Sequence, residues 1–348
     1  MLVDSEAQAQ NKQEKMKIII PMAGRGSRLR PHTLVTPKPL VNIAGKPIVH
    51  RLVEDIVAAS NETVDEIAFI IGDFGLDAEK KLKEIAKKLD AKSSIYYQEE
   101  PLGTAHAILC AKESLSGNCV VAFADTLFEA DFTINNNEDG IIWVSKIDDP
   151  SSFGVVKTNE NNIITDFVEK PTEFVSDLAI IGIYYFKDGE YLKKELEYLI
   201  NNNIKDKGEF QLTSALENMK NKGVNFVTGK VSEWMDCGNK EAAILTNTAI
   251  LKNRGHYLDQ TANIEDSTVI KPCYIGKNVK IKNSVVGPHV AVADGVSINH
   301  STIKNTIIQK NSTITNTKLN NSMIGSEAHV DTKSTACELS IGDFSTIK

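Results

Sequence analysis

The sequence predicts an α/β protein in which a doubly wound, mostly parallel sheet is followed by a domain of stacked parallel strands. From Met16 to about Leu245, short apolar strand patterns alternate with amphipathic helical patterns, which is typical of a parallel sheet covered by helices on both faces. After Tyr257 the pattern changes, since aliphatic residues recur about every six positions and no Phe, Tyr or Trp stands between Tyr274 and Phe344. Small aliphatic residues at such a short period indicate a repetitive coil and not a core of large side chains.

The strands and helices of the first region follow from its periodicity. Short apolar runs predict strands, and apolar residues spaced three and four apart predict helices. Ligands of such sheets bind outside the carboxyl ends of the strands, so the loops after the strands are the candidate site. Strands are predicted at 17–20, 66–71, 94–97, 119–125, 140–146, 153–158, 163–168 and 179–186, and helices at 48–57, 78–89, 104–113 and 241–251.

The composition excludes several classes of function. The 348 residues are 41% hydrophobic and 24% charged, with a formal net charge of −7, so we expect no nucleic-acid partner and no anionic membrane surface. No apolar run approaches the roughly 20 residues that span a bilayer. The five cysteines form no C-x-x-C pair, which predicts reduced thiols and a cytoplasmic location.

The chain divides into three parts. Residues 1–15 are polar and lack the apolar core of a signal peptide, so they are predicted to be a disordered leader. Residues 16–252 are predicted to form the sheet domain, and residues 253–348 the repeat domain. Because the ends of a repetitive coil are exposed, we expect the chain to form a homo-oligomer.

A glycine-rich, basic loop follows the first predicted strand, at residues 21–31 (PMAGRGSRLRP). Gly24 and Gly26 can adopt a positive φ and let backbone N–H groups approach anionic oxygens. Arg28 and Lys38 add positive charge in a chain that is acidic as a whole. The loop is neither a Walker loop, which ends in Gly-Lys-Ser/Thr, nor a G-x-G-x-x-G dinucleotide fingerprint. It predicts a phosphate site of another kind.

This loop resembles the signature of the sugar-1-phosphate nucleotidyltransferases, G-x-G-[ST]-R-L-x-P-x-T followed by P-K-P-[LM]. The resemblance extends from Lys17 to about Leu339. It implies a Rossmann-like nucleotidyltransferase domain with a C-terminal left-handed parallel β-helix. The residues that it assigns are, for nucleotide binding, Ala23, Gly24 and Gly26 and, for catalysis on the phosphates, Arg28 and Lys38.

Two aspartates stand in further motifs of this family. Ala124 and Asp125 resemble its Gly-Asp metal motif, with alanine where glycine is usual, and residues 234–238 (WMDCG) resemble its W-x-D-x-G motif. The resemblance implies that Asp125 and Asp236 are catalytic residues and bind Mg²⁺. Such a pair suits Mg²⁺, which takes one or two protein carboxylates together with waters and phosphate oxygens.

Other segments resemble the family's substrate-binding elements. Residues 98–105 (QEEPLGTA) resemble the base-recognition turn, although the same segment is also a turn before an N-capped helix. Residues 168–171 (VEKP) and 153–156 (FGVV) resemble the elements that hold the sugar phosphate. The implied contacts are Gln98 and Gly103 for the nucleotide, and Gly154, Glu169 and Lys170 for the sugar phosphate.

The resemblance implies transfer of a nucleotidyl group from a nucleoside triphosphate to a sugar 1-phosphate, with release of pyrophosphate. The pattern at Gln98 and Gly103 favours dTTP or UTP, with glucose 1-phosphate as acceptor, over guanylyl transfer to mannose 1-phosphate, which stays an alternative. The domain order also resembles bifunctional uridylyl/acetyltransferases, whose β-helix is much longer. A non-catalytic regulatory or scaffold relative is the other alternative, but such relatives tend to lose the loop's basic residues or an aspartate, which are present here.

Overall fold

The structure, a computed structural model, describes residues 15–60, 62–129, 133–333 and 335–348. Its first strand begins at Lys15, so that residue does not belong to the predicted leader. The other residues of that leader, 1–14, lie outside the described residues.

The helices and strands alternate through the first two thirds of the chain. The described helices are α1 (Ile48–Ala59), α2 (Leu76–Lys88), α3 (Thr104–Cys110), α4 (Gly189–Asn201), α5 (Leu212–Asn221) and α6 (Lys240–Arg254). The described strands of this region are β1 (Lys15–Pro21), β2 (Asn42–Ile43), β3 (Lys46–Pro47), β4 (Thr63–Ile71), β5 (Lys92–Tyr97), β6 (Cys119–Ala122), β7 (Thr126–Glu129), β8 (Gly140–Lys146), β9 (Gly154–Thr158), β10 (Ile164–Glu169), β11 (Leu178–Phe186), β12 (Phe226–Lys230) and β13 (Glu233–Asp236).

The remaining strands are short and evenly spaced. They are β14 (Tyr257–Leu258), β15 (Asn263–Glu265), β16 (Thr268–Val269), β17 (Cys273–Ile275), β18 (Lys280–Lys282), β19 (Val285–Val286), β20 (Val290–Val292), β21 (Ser297–Asn299), β22 (Thr302–Lys304), β23 (Ile307–Ile308), β24 (Thr313–Thr315), β25 (Lys318–Asn320), β26 (Met323–Ile324), β27 (His329–Asp331), β28 (Ala336–Cys337), β29 (Ser340–Ile341) and β30 (Thr346–Ile347).

The chain forms two compact units that do not follow chain order. We call them the sheet unit and the coil unit. The predicted boundary between the sheet domain and the repeat domain, after residue 252, stays a prediction. The sheet unit comprises the described residues of Met1–Ala23, Val53–Phe123 and Ala130–Ser232, and the coil unit those of Gly24–Leu52, Ala124–Glu129 and Glu233–Lys348.

The sheet unit contains the predicted Rossmann-like sheet. Its described strands pair in the order β10-β9-β11-β6-β1-β4-β5, with β8 paired to β11 and β12 to β8. Strands β6, β1, β4 and β5 are parallel, whereas β11 joins β6 antiparallel and begins the mixed half. Large side chains fill the core, among them Trp143, Phe69 and Phe226. The predicted fold class is confirmed for this part of the chain.

Helices α4 and α5 were not predicted. Helix α4 begins after Asp188, whose side chain caps it by accepting a hydrogen bond from the Tyr191 N–H at 2.8 Å. It buries Leu192, Leu196 and Leu199, which recur at helical spacing. Their polar surroundings conceal this stripe in the sequence.

In the coil unit, the repeat forms three faces of parallel strands, and each strand pairs with the one three strands later. One face stacks Ile264, Ile281, Ile298, Ile314 and Val330 in register. This aliphatic ladder fills the interior, as the hexapeptide period predicts. Asparagines with positive φ occupy many of the turns, because Asn tolerates the left-handed region better than most residues. The predicted left-handed parallel β-helix is confirmed.

Candidate active site

From Gly24 onward, the basic loop belongs to the coil unit and folds as a tight turn. Gly26 has φ 62° and begins a 3₁₀ turn, Ser27–Leu29, and Thr33 Oγ1 donates a hydrogen bond to the Gly26 carbonyl oxygen at 2.8 Å. A Cβ on Gly26 would lie 2.7 Å from Lys38 Cβ, so glycine is what lets the Lys38 stem approach the loop. Gly24 does not adopt the positive φ considered for it, and a Cβ there would meet nothing within 4 Å.

A two-stranded ribbon of β7 and β13 brings the two predicted aspartates together. The strands are antiparallel and pair Asp236 with Thr126. One residue beyond the ribbon, the Cys237 N–H donates to the Asp125 carbonyl oxygen at 3.0 Å. The Trp234 indole N–H donates to Thr126 Oγ1 at 2.9 Å and holds the register. Sequence reasoning predicted both aspartates but missed the ribbon that joins them.

Two cationic side chains, Arg28 of the loop and Lys38 beyond it, face these aspartates. Lys38 Nζ donates to Asp125 Oδ2 at 3.1 Å, and the Gly238 N–H donates to Asp236 Oδ1 at 2.9 Å. A Cβ on Gly238 would lie 3.0 Å from the Asp236 carboxylate and 3.4 Å from Arg28 Nη2, so glycine leaves this approach open. We call this set the charged cluster. It consists of Arg28, Lys38, Asp125 and Asp236.

In the charged cluster, the net effect of the surroundings is to raise the pKa of Asp236 above its ordinary value. Burial raises the pKa of Asp236, and the like charge of Asp125 acts in the same direction. The Gly238 N–H, Lys38 and Arg28 lower the pKa of Asp236 and oppose that change. Because Asp125 and Asp236 are close enough to repel each other, a cation bound between them would stabilise both carboxylates in their charged form.

The donor set fits Mg²⁺, because two carboxylates are hard oxygen ligands and leave most coordination positions to water and phosphate. Among the described residues, no group of three or more His, Cys, Asp or Glu side chains could hold a metal ion. Asp125 and Asp236 are the two carboxylates to which the family resemblance assigns Mg²⁺, and that assignment stays a prediction. Cys237 lies beside it but is fully buried, and burial raises the pKa of its thiol to about 12, which leaves it inert as a nucleophile.

The last coils of the β-helix pack against the basic loop. His32 Nε2 lies 3.1 Å from Ser340 Oγ, and a Cβ on Gly342 would lie 3.1 Å from Pro31 Cβ. His32 is 3% exposed, and its Nδ1 atom has no hydrogen-bond partner in the described part of the chain. Burial lowers the pKa of His32 to about 4, and the positive charge of Lys240 adds to this. The loop thus rests on a neutral imidazole.

In the sheet unit, the predicted base-recognition turn leads into α3. Gln98 follows β5, and its Nε2 atom lies 3.2 Å from the Gly103 carbonyl oxygen and 3.2 Å from His106 Nδ1. Gly103 has φ 120°, and a Cβ on it would lie 2.5 Å from the Phe210 carbonyl oxygen. Only glycine fits this position.

The predicted sugar-phosphate residues are also neighbours. Glu169 pairs with Gly154 across β10 and β9, and a Cβ on Gly154 would lie 3.1 Å from Glu169 Oε2. Thr213 Oγ1 donates to the same oxygen at 3.1 Å. Lys170 has φ 41°, and its Nζ lies 3.7 Å from Glu169 Oε1. Lys207 Nζ donates to the Glu169 carbonyl oxygen at 3.0 Å.

The segment from Phe210 to Thr213 joins these two groups and was not predicted. The Phe210 N–H donates to the Leu102 carbonyl oxygen at 2.9 Å, and Thr213 reaches Glu169. Its only sequence signal is a polar stretch before the apolar stripe of α5. We call the predicted residues of the sheet unit the reading cluster. It consists of Gln98, Gly103, Gly154, Glu169 and Lys170.

Ala23, the remaining predicted nucleotide contact, lies two residues after the end of β1 and is half-buried. Its carbonyl oxygen would lie 3.1 Å from a Cβ on Gly72, so Gly72 lets the two backbones approach. The roles assigned to the predicted site residues stay predictions.

Comparison with known proteins identifies the family. The nucleotidyl transferase family model matches residues 17–253, which is more than half of the chain. The chain therefore belongs to the nucleotidyl transferase family.

Individual relatives agree with this assignment. The bifunctional protein GlmU of Methanococcus vannielii is 31% identical over 261 residues, which cover 73% of this chain and 59% of that protein. The mannose-1-phosphate guanylyltransferase catalytic subunit beta of Drosophila melanogaster is 37% identical over 179 residues, which cover 49% of this chain and 48% of that protein. The chain thus spans less than two thirds of the length of these curated relatives.

Two solved structures share the fold. A Bacillus anthracis protein assigned as a glucose-1-phosphate thymidylyltransferase, in complex with a sucrose, is 25% identical with a TM-score of 0.56 and covers 67% of this chain and 95% of its own. A UDP-glucose pyrophosphorylase complexed with UDP-glucose is 24% identical with the same TM-score of 0.56 and covers 69% of this chain and 100% of its own; this likeness shows the fold alone. In the described residues, no helix is long and apolar enough to cross a membrane.

Proposed function

We propose that the chain transfers a nucleotidyl group from dTTP or UTP to glucose 1-phosphate and releases pyrophosphate. The observation that carries the proposal is the charged cluster, in which Lys38 and Arg28 approach two carboxylates that the ribbon joins. A non-catalytic relative has no need to keep two cations and two carboxylates in such an arrangement.

In this proposal the acceptor is its own nucleophile. A phosphate oxygen of the sugar 1-phosphate attacks the α-phosphorus of the nucleotide, the bond to the bridging oxygen breaks, and pyrophosphate leaves with that electron pair. No covalent enzyme intermediate is needed, so catalysis consists of positioning and charge neutralisation.

The charged cluster supplies that neutralisation. We assign Arg28 to the departing pyrophosphate and Lys38 to the phosphates, with the loop backbone from Ala23 to Gly26 as a further nucleotide contact. Asp125 and Asp236 would hold Mg²⁺, which supplies Lewis-acid stabilisation of the phosphate charge when it is bound.

The reading cluster selects the substrates. We assign Gln98 and Gly103 to the nucleobase, and Gly154, Glu169 and Lys170 to the sugar phosphate. Glu169 can accept hydrogen bonds from sugar hydroxyls, because a carboxylate oxygen has two lone pairs and the hydrogen bond from Thr213 to its Oε2 uses one of them. Lys170 is half exposed at its side chain, so its ammonium can reach an anion.

A second candidate is guanylyl transfer to mannose 1-phosphate. It is favoured by the 37% identity to the Drosophila guanylyltransferase subunit, which is higher than the identity to the archaeal protein but extends over fewer residues.

Pyrophosphate release tests both candidates. The purified chain is incubated with Mg²⁺ and either glucose 1-phosphate or mannose 1-phosphate, with dTTP, UTP, CTP, ATP and GTP in turn. Turnover with dTTP or UTP and glucose 1-phosphate that is lost in Asp125→Asn supports the first candidate, and turnover with GTP and mannose 1-phosphate supports the second. No turnover with any pair overturns the proposal.

A further inference from the structure

The side-chain amide of Gln98 has one orientation that its neighbours allow. Its Nε2 atom lies 3.2 Å from the Gly103 carbonyl oxygen and 3.2 Å from His106 Nδ1. A carbonyl oxygen only accepts hydrogen bonds, so the NH₂ group and not the amide oxygen must face Gly103. The second hydrogen of that NH₂ group is then available to His106.

His106 can accept this hydrogen bond only as a neutral ring that carries its proton on Nε2. Burial lowers the pKa of His106, and the nearby charge of Glu100 opposes this change. A protonated ring would present an N–H at Nδ1 to the NH₂ group of Gln98, so that two donors would face each other. The neutral ring therefore holds the amide in the orientation that Gly103 also favours.

We propose that His106 is a positioning residue for base selection, because it accepts from Gln98 Nε2 and leaves Oε1 of the same amide as the acceptor for the nucleobase. This inference rests on the proposed function, in which Gln98 contacts the base. Gln98 Oε1 forms no hydrogen bond with any described residue, so it is free to accept one.

An acceptor at this position selects among the nucleobases by their chemistry. Uracil and thymine present an N3–H donor and guanine presents an N1–H donor, whereas N3 of cytosine and N1 of adenine are acceptors. An acceptor that faces an acceptor gains no hydrogen bond, and the desolvation of both atoms is uncompensated. The same amide therefore separates UTP from CTP and GTP from ATP.

The matched variants are His106→Leu and His106→Asn. Leu and Asn have similar size, but only Asn offers an oxygen that can replace Nδ1 as the acceptor. Binding of UTP and CTP is measured by calorimetry without sugar phosphate, so that no turnover occurs. Because both nucleotides carry the same triphosphate, the ratio of their dissociation constants isolates the base.

We expect the wild-type chain to bind UTP more tightly than CTP, so that the dissociation constant of CTP divided by that of UTP exceeds one. His106→Leu should reduce this ratio about three- to tenfold, as for the loss of one hydrogen bond. His106→Asn should keep the ratio. An unchanged ratio in His106→Leu, or a wild-type chain that binds CTP as tightly as UTP, would overturn the inference.

A second measurement uses the wild-type chain alone and does not depend on the folding of a variant. Lowering the pH protonates His106, so the preference of the wild-type chain for UTP over CTP should decrease as the pH falls. Burial of His106 shifts that decrease to lower pH, and the negative charge of Glu100 partly offsets the shift. A ratio that stays constant as the pH is lowered overturns the inference. Failure of the proposed function is a separate result, since it would appear as a binding preference without pyrophosphate release; binding of neither nucleotide would overturn both.

Discussion

The charged cluster and the reading cluster contain two kinds of chemistry. The charged cluster consists of cations and carboxylates on a loop and a ribbon of the coil unit, where Lys38 contacts Asp125 at 3.1 Å. The reading cluster combines neutral contacts, made by the Gly103 carbonyl oxygen and Thr213 Oγ1, with one ion pair between Lys170 and Glu169. If the proposed roles hold, phosphate chemistry and substrate preference can be altered separately. Changes in the first cluster should lower turnover, and changes in the second should alter affinity and preference.

The largest effect is expected from Lys38→Ala. Its turnover should fall about 100- to 1000-fold, because in the proposed reaction the Lys38 ammonium neutralises the reacting phosphates. The melting temperature should stay nearly constant, since Asp125 is partly exposed and water can replace the ammonium. Steady-state kinetics and thermal unfolding check this, with Lys87→Ala on the exposed face of α2 as the control. Full activity in Lys38→Ala would remove the charged cluster from the mechanism.

The next effect concerns the support of the charged cluster by the β-helix. The pKa of His32 is about 4 in the folded chain and near 6.5 when unfolded, so the unfolded chain binds a proton first as the pH falls. The free energy of unfolding should therefore be highest above about pH 6.5, where His32 is neutral in both states. It should decrease by about 3 kcal/mol as the pH approaches 4.

Urea unfolding between these pH values measures this change. His32→Gln keeps a polar side chain next to Ser340 but does not titrate, so its unfolding free energy should depend less on pH over this range. An equally steep dependence in that variant would assign the acid sensitivity to other groups.

Two glycines of the same loop form a matched pair of intermediate effect. Gly26→Ala should lower the free energy of unfolding by about 1–2 kcal/mol, because φ is positive there and the new Cβ would meet Lys38. Gly24→Ala should change it by less than about 0.5 kcal/mol, since its surroundings are open. Chemical unfolding distinguishes them, and equal losses would show that the strain lies elsewhere.

The smallest effect is expected in the reading cluster. Thr213→Val keeps the shape of a buried side chain but removes the hydroxyl that holds Glu169. We expect the KM for the sugar 1-phosphate to rise about three- to tenfold, with a smaller change in kcat. Thr165→Val, on the exposed side of β10, is the control. A loss confined to kcat would instead place Thr213 with the charged cluster.

Much of the fold could be predicted because it is periodic. The aliphatic ladder from Ile264 to Val330 repeats regularly, and the second half of β4, residues 67–71, is a continuous apolar run. The β7 and β13 ribbon could not be predicted, because its strands are short and pair residues more than one hundred positions apart. Such pairing has no local signal, since the hydrogen bonds that define it form only after the chain has folded.

The residue types of the candidate site and the repeat of the coil could be found in the sequence, because they are local patterns. They are a basic glycine loop, two aspartates in recognisable motifs and a hexapeptide period. The tertiary structure alone decided which groups meet. It placed Asp125 beside Asp236, Thr213 against Glu169, and His106 against the Gln98 amide. The chemical type of a side chain is a property of the residue, whereas its hydrogen-bond partners and its pKa depend on how distant segments pack.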